Sequence, residues 1–149
     1  MITYQAESIE KILDELKPLL EKHWEEVAWY KEDIKLNPDY DRYLQLDLMG
    51  LIHAVTVRDD GKLVGYNINF INNHPHYKDH TYAVNDIIFL SPEYRKPGLA
   101  STLILITEKL LKEIGVSVVT IHMKTDHTFE GLMDHTGFER QEYIYSKKL

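Results

Sequence analysis

The residues with the most to offer chemically are Arg95-Lys96-Pro97-Gly98-Leu99-Ala100, set between an apolar strand and an amphipathic helix. Upstream, residues 83–90 form a short, mostly apolar run rich in β-branched side chains, the pattern of a buried strand. Downstream, Leu99, Leu103, Ile106, Leu110 and Ile114 recur at helical spacing, Ala100, Ile104 and Leu111 widen the stripe, and Gly115 supplies a stop. A strand, a small-residue turn and a helix start together make an anion site, because the first helical N–H groups lack internal partners and carry the positive end of the dipole. Gly98 and Ala100 let a phosphate approach the backbone, and Arg95 and Lys96 add charge. The pattern predicts a pyrophosphate cradle. Within the strand, Asp86 falls in period-two register with Val84, Ile88 and Leu90, among apolar neighbours. An ionised carboxylate is costly there unless paired, and desolvation raises its pKa. It is either a base or a structural group bonded to a backbone amide or a lysine.

The elements that must position these residues follow from periodicity and punctuation. Residues 8–17 carry Ile9, Ile12, Leu13 and Leu16 on one face of a helix, which Pro18 must kink or end although Leu19, Leu20 and Trp24 continue the stripe. Asn37-Pro38-Asp39 places a cap, a first-position proline and an acid in order, predicting a helix over 38–49 closed by Gly50. Residues 51–58 and 63–71 are strand-like and joined by Asp59-Asp60-Gly61-Lys62, a hairpin turn by its chemistry. The polar, histidine-rich stretch 71–80 reads as a loop. Strand 81–90, helix 98–114, strand 116–123, a short helix over 126–134 and a last strand over 138–145 complete the order. Two β-α-β crossovers and one hairpin predict a mixed sheet in an α/β fold.

A chain of 149 residues makes one domain, 1–149, with room for a sizeable core. Its apolar content of 44% and charged content of 28% are ordinary for a globular protein. The absence of cysteine excludes disulfides, thiolate metal sites and a cysteine nucleophile, and no activated serine arrangement is visible. No apolar run reaches membrane-spanning length and no basic-then-apolar segment opens the chain, so a cytoplasmic setting without membrane contact is expected. The formal charge of −7 argues against a nucleic-acid partner and favours cationic substrates. His74, His76 and His80 share one stretch whose His-x-His spacing admits zinc, but without cysteine they read as solvated, and no metal is expected. Residues 24–43 are aromatic and acidic, with Trp24, Trp29, Tyr30, Tyr40, Tyr43, Glu25, Glu26, Glu32 and Asp33. They form either a surface for a cationic amine or a helix pair whose rings pack and whose acids face water.

Arg95-Lys96-Pro97-Gly98-Leu99-Ala100 resembles the Arg/Gln-x-x-Gly-x-Gly/Ala loop of the GNAT family of N-acetyltransferases, and Leu90-Ser91-Pro92-Glu93-Tyr94 resembles its strand-end lead-in. Leu132 and Gly137-Phe138 resemble the family's second coenzyme-contacting helix and the Gly-Phe after it. The resemblance is strongest over 81–138. It implies a GNAT-like central mixed β-sheet with helices on both faces, in three layers, whose strands 81–90 and 116–123 splay to admit the pantetheine arm of acetyl-CoA. Backbone groups near Ile88 and Leu90 would face that arm, and Arg95, Lys96, Pro97, Gly98, Leu99, Ala100 and Ser101 would hold the pyrophosphate. The family usually carries Glu where Asp86 stands, which implies Asp86 as base, with His122 at the end of strand 116–123 as the alternative; an exposed strand-end residue is the plainer reading of His122. The family's asparagine position falls on Asp126, which also suits a helix N-cap, and its proton-donating tyrosine falls on Met133, which carries no proton to give. Tyr143 and Tyr145 are the alternative proton donors, and sheet packing is the plainer reading of both.

The reading that emerges is direct, acetyl-CoA-dependent acetylation of a primary amine on a cationic small molecule, a protein lysine or an N-terminus. A coenzyme-binding module with weak or no catalysis is the alternative that Met133 favours. A loop that is only a turn in an interaction domain is the third. Homodimers are common in the family, but no self-complementary patch is legible here.

Overall fold

A computed structural model describes all residues, 1–149. In chain order the elements are β1 (Ile2–Ala6), α1 (Ile9–Val27), α2 (Tyr40–Leu48), β2 (Ile52–Asp59), β3 (Lys62–His74), β4 (Tyr77–Leu90), a single 3-10 turn (Pro92–Tyr94), α3 (Leu99–Glu113), β5 (Val116–Thr120) and α4 (Glu130–Thr136). The five strands form one sheet in sequence order, antiparallel from β1 to β4 and parallel between β4 and β5, where α3 makes the crossover. α1 and α2 cover one face through Ile9, Ile12, Leu16 and Leu19 against Ile52, Tyr66, Ile68 and Phe89. α3 covers the other, with Leu103 against Val55, Val57, Val64 and Leu90, and Leu111 against Ala83 and Val116. The mixed, three-layered α/β architecture is as expected.

α1 starts where Ser8 caps it, its side chain accepting from the Lys11 N–H, and it does not end at Pro18 but continues to Val27. A helix-interior proline costs about 3 kcal/mol. Burial of Leu19 beyond it is worth about 1.5–3 kcal/mol, enough to offset most of that. Asp39, not Asn37, caps α2, accepting from the Arg42 N–H at 3.0 Å. The β2–β3 turn is the two-residue Asp60-Gly61, with φ of 46° and 86°, the left-handed pair that a tight hairpin requires.

Four expectations fail. Residues 2–6 form an edge strand that the periodicity left unmarked; they pair with β2 from Ile2↔Asp59 to Ala6↔Val55. The histidine-rich stretch is a hairpin arm rather than a loop, since β3 runs to His74 and β4 begins at Tyr77. There the rings of His76, Tyr77 and Tyr82 lie 5.0–5.2 Å from that of His74, so cross-strand aromatic pairs hold the arm although its side chains are largely solvated. β5 stops at Thr120 and α4 begins at Glu130, four residues later than expected. Finally, residues 138–149 form no strand. Tyr143, Ile144 and Tyr145 are exposed by 68–92%, so nothing apolar is buried to hold them against the sheet, and only one crossover is present.

Candidate active site

β4 is the element on which the site is built. Its parallel ladder to β5 ends at Val84↔Thr120, yet β4 continues six residues to Leu90, bonded only to β3. The Ser91 N–H donates to the Val64 carbonyl at 2.9 Å. By the alternation of a strand, the N–H and C=O groups of Ile88 and Leu90 therefore face the open edge. That edge leads to the 3-10 turn and the Gly98 loop. Gly98 caps α3 at φ 90°, a left-handed conformation that favours glycine, and a Cβ built there would meet nothing within 4 Å. The N–H groups of Gly98, Ala100 and Ser101 have no acceptor in the protein, while Ser101 Oγ donates to the Gly98 carbonyl at 3.1 Å. Arg95, Lys96, Pro97, Gly98, Ala100 and Ser101 line a cavity of about 450 Å³.

The opposite wall of that cavity is Gly131, Leu132 and His135 of α4. Two residues expected at the loop and helix turn away from it. The Leu99 side chain packs against the core cluster of Val55, Val57, Val64, Leu90 and Leu103. Met133 is buried on the other side of α4. Leu132 alone had been singled out on this wall; Gly131 and His135 carried no sequence signal beyond their place on the same helix.

Arg95 does not present its guanidinium to the cavity as a free cation. Its Nη1 and Nη2 donate to the two Glu26 oxygens at 2.6 Å, and its Nε donates to the Leu90 carbonyl at 2.8 Å. The group also lies 5.5 Å over the Phe89 ring. The bidentate bond holds the Glu26 carboxyl below its ordinary range. Lys96, exposed and unpaired, is the cation left at the loop.

Asp86 is held by a bulge. Ile68 pairs with Ile87 and Asn69 with Asn85, so Asp86 has no partner on β3. The expected register with Ile88 and Leu90 is thereby broken. Those two side chains pack on the α3 face, whereas Asp86 turns to α2, where Tyr43 Oη donates to Oδ2 at 2.5 Å. Burial pushes the Asp86 carboxyl up and the tyrosine bond pulls it down; the net direction is upward. Burial and the carboxylate together push the Tyr43 hydroxyl well above its usual value. Alongside, the fully buried Tyr66 meets His23 Nδ1 at 3.1 Å, and burial lowers His23 to about 4, so its ring is neutral. His23 and Tyr66 escaped the sequence reading; the only signal was polar atoms inside apolar stripes.

The remaining expected residues lie elsewhere. His122 is exposed beyond the end of β5. Asp126 does not cap α4, whose N-cap is Phe129; it accepts from Trp29 Nε1 at 3.4 Å and pairs with His127 at 3.2 Å. Of the aromatic stretch, Tyr43 reaches the site, while Trp29 and Tyr30 are exposed.

The open edge, the unpartnered N–H groups and the clear space over Gly98 fit a long ligand ending in a pyrophosphate, and the neighbouring Asp86–Tyr43 pair offers a proton acceptor. Solved folds similar to this one include an aminoglycoside acetyltransferase from an uncultured soil metagenomic sample, in complex with sisomicin (TM-score 0.78, 14% identity, 99% of this chain and 96% of that one). Another is a predicted acetyltransferase with acetyl-CoA from Clostridium acetobutylicum (0.73, 13%, 99% and 96%). A third is the ribosomal-protein-alanine N-acetyltransferase of Brucella melitensis biovar Abortus 2308 (0.66, 18%, 100% and 97%). Against curated proteins the sequence finds no match. The model of the acetyltransferase (GNAT) family matches residues 10–132, and the chain belongs to that family of transferases.

Proposed function

We propose that this protein is an acetyl-CoA-dependent N-acetyltransferase that moves the acetyl group directly to a primary amine. The observation that carries the reading is a β4 edge left free of β5 that leads into the Gly98 loop and its cavity of about 450 Å³, where Arg95 both lines the cavity and bonds the Leu90 carbonyl, with Asp86 on the same strand. The N–H groups of Gly98, Ala100 and Ser101 and the Lys96 ammonium would hold the pyrophosphate, and the edge groups of Ile88 and Leu90 the pantetheine amides. When bound, acetyl-CoA supplies a thioester whose acyl carbon an amine can attack.

The amine must lose its proton to react. With a pKa of about 10, roughly one amine in a thousand is neutral at pH 7, so a base near the site accelerates the step. Asp86 takes that role: it is partly desolvated, no cation bonds it, and Tyr43 orients its carboxylate. Direct transfer fits the lack of cysteine. The acceptor is a cationic amine of a small molecule or protein, in keeping with a charge of −7 and the exposed acids Glu25 at the end of α1 and Glu32 after it. The different acceptors named for the similar folds leave its identity to the pocket.

Met133 favours a second reading, a coenzyme-binding module without turnover, because the helix that lines the cavity offers no phenol there. Thiol release from acetyl-CoA over a panel of aminoglycosides, polyamines and peptide amines decides between them. Release that requires the amine and is lost in Asp86→Asn supports the transferase. Saturable binding with no release from any amine supports the module.

A further inference from the structure

On the α3 face of the sheet, Asn67, Asn69, Asn85 and Thr107 are at most 5% exposed. Four polar side chains in an apolar layer require an explanation, since each buried amide left unbonded costs about 1–3 kcal/mol. None is left unbonded. Asn85 Nδ2 donates to Asn67 Oδ1 at 2.7 Å and to the Ile68 carbonyl at 3.2 Å, with contacts of 3.4 Å to Asn69 Oδ1 and the Ile87 carbonyl. Ile68 and Ile87 are the paired residues flanking the bulge. One amide therefore spans the ladder where Asp86 interrupts it. Asn69 Nδ2 adds a bond to Asn67 Oδ1, and Asn67 Nδ2 donates to Thr107 Oγ1, both at 3.2 Å. Thr107 Oγ1 donates in turn to the Leu103 carbonyl at 2.7 Å, in the second turn of the helix that Gly98 begins.

We propose that Asn85, backed by Asn67 and Thr107, is a positioning residue for acetyl transfer: its amide line fixes the β4 bulge, turns Asp86 toward Tyr43, and ties that strand to the helix carrying the anion loop. The inference rests on Asp86 acting as the base. Apolar side chains of similar volume would fill the layer but leave the carbonyls beside the bulge free to re-pair in regular register. A slip of one residue carries a side chain to the opposite face of a sheet. Asp86 would then leave Tyr43 for the α3 side. The groups facing it now are Tyr43 from α2 and, nearby, Tyr66 from β3, itself bonded to His23 of α1; none is a cation at neutral pH.

The test uses Asn85→Leu and Thr107→Val, each shown to melt cooperatively and to bind acetyl-CoA. Two quantities are read: the carboxyl-carbon NMR titration of Asp86, which needs no turnover, and kcat against KM for the best amine of the panel. The expected result is a displaced Asp86 titration in Asn85→Leu, with kcat lowered about tenfold to a hundredfold, the cost of a misplaced group, at unchanged KM for acetyl-CoA. Thr107→Val shifts both in the same direction by less, and it alone decides if Asn85→Leu does not fold. An Asp86 titration identical to wild type in the folded variant overturns the proposal. If the wild type releases no thiol, the transferase reading has failed, and the titration still decides whether Asn85 positions Asp86.

Discussion

Two carboxylates are drawn into this fold, and they are treated in opposite ways. Glu7, at the β1 end of the sheet, has a side chain only 1% exposed and is surrounded by donors. Arg58 Nε reaches its Oε2 at 2.7 Å, Thr56 Oγ1 donates to the same oxygen at 2.5 Å, and Lys11 Nζ lies 2.8 Å from Oε1. Arg58 also donates to Glu15, whose other oxygen accepts from the Leu63 N–H. Burial alone would raise the Glu7 carboxyl; these partners pull it down to about 2. Asp86, on β4 past the end of its ladder with β5, has one neutral phenol as its side-chain partner, and burial wins. A buried carboxylate surrounded by cations serves the structure, while one left without a cation keeps its affinity for a proton. The contrast separates the half of the sheet that is closed from the half where the proposed chemistry would sit.

The sharpest break in this comparison comes from neutralising each acid in turn. Asp86→Asn is expected to lower kcat about a hundredfold or more, the usual worth of a general base, with acetyl-CoA binding intact. The same variant should be at least as stable as wild type at neutral pH. A carboxyl whose folded pKa is raised is destabilising once ionised, and that difference vanishes below the ordinary value of 3.8. Thermal melts over a pH series check the sign. Glu7→Gln should do the reverse, leaving kcat per folded molecule unchanged while destabilising the fold by about 1–3 kcal/mol, because Arg58 loses one of its two carboxylate partners and keeps Glu15. Wild-type stability should accordingly fall as pH drops from the ordinary value of 4.5 toward about 2, and denaturant midpoints of the variant should be flatter over that window. The smallest effect belongs to Tyr43→Phe. Removing the bond that pulls the Asp86 pKa down should move the acid limb of kcat/KM to higher pH, with a loss in kcat of less than about tenfold. An acid limb that stays in place would mean that Asp86 is not the titrating base.

What the sequence makes legible is local. The strand, the Arg95–Ala100 turn and the stripe of α3 are contiguous, so their chemistry could be read before any contact was known, and Asp60-Gly61 announces its own hairpin. Register is another matter. The bulge at Asp86 carries no glycine or proline, and its one trace is Ile87-Ile88, adjacent apolar residues that break the alternation. Period two therefore gave Asp86 the wrong neighbours, Ile88 and Leu90, which lie on the other face of the sheet. Arg95 reads as a phosphate ligand because its partner, Glu26, lies 69 residues away on α1. His23 and Tyr66 meet only once α1 is laid across the sheet. Residues 138–145 have β propensity but bury none of Tyr143, Ile144 or Tyr145, and propensity without burial leaves them irregular.

The most direct measurement is a calorimetric titration of acetyl-CoA into wild type, Asp86→Asn and Gly98→Glu, with ATP as the control for unspecific phosphate binding. Gly98→Glu sets an anionic side chain in the clear space of the cradle and strains a φ of 90°. Wild type and Asp86→Asn are expected to bind acetyl-CoA saturably, Gly98→Glu is expected not to bind it, and ATP should bind much more weakly. Absence of wild-type binding at millimolar acetyl-CoA, or equal binding by Gly98→Glu, would rule out a coenzyme site at the Gly98 loop.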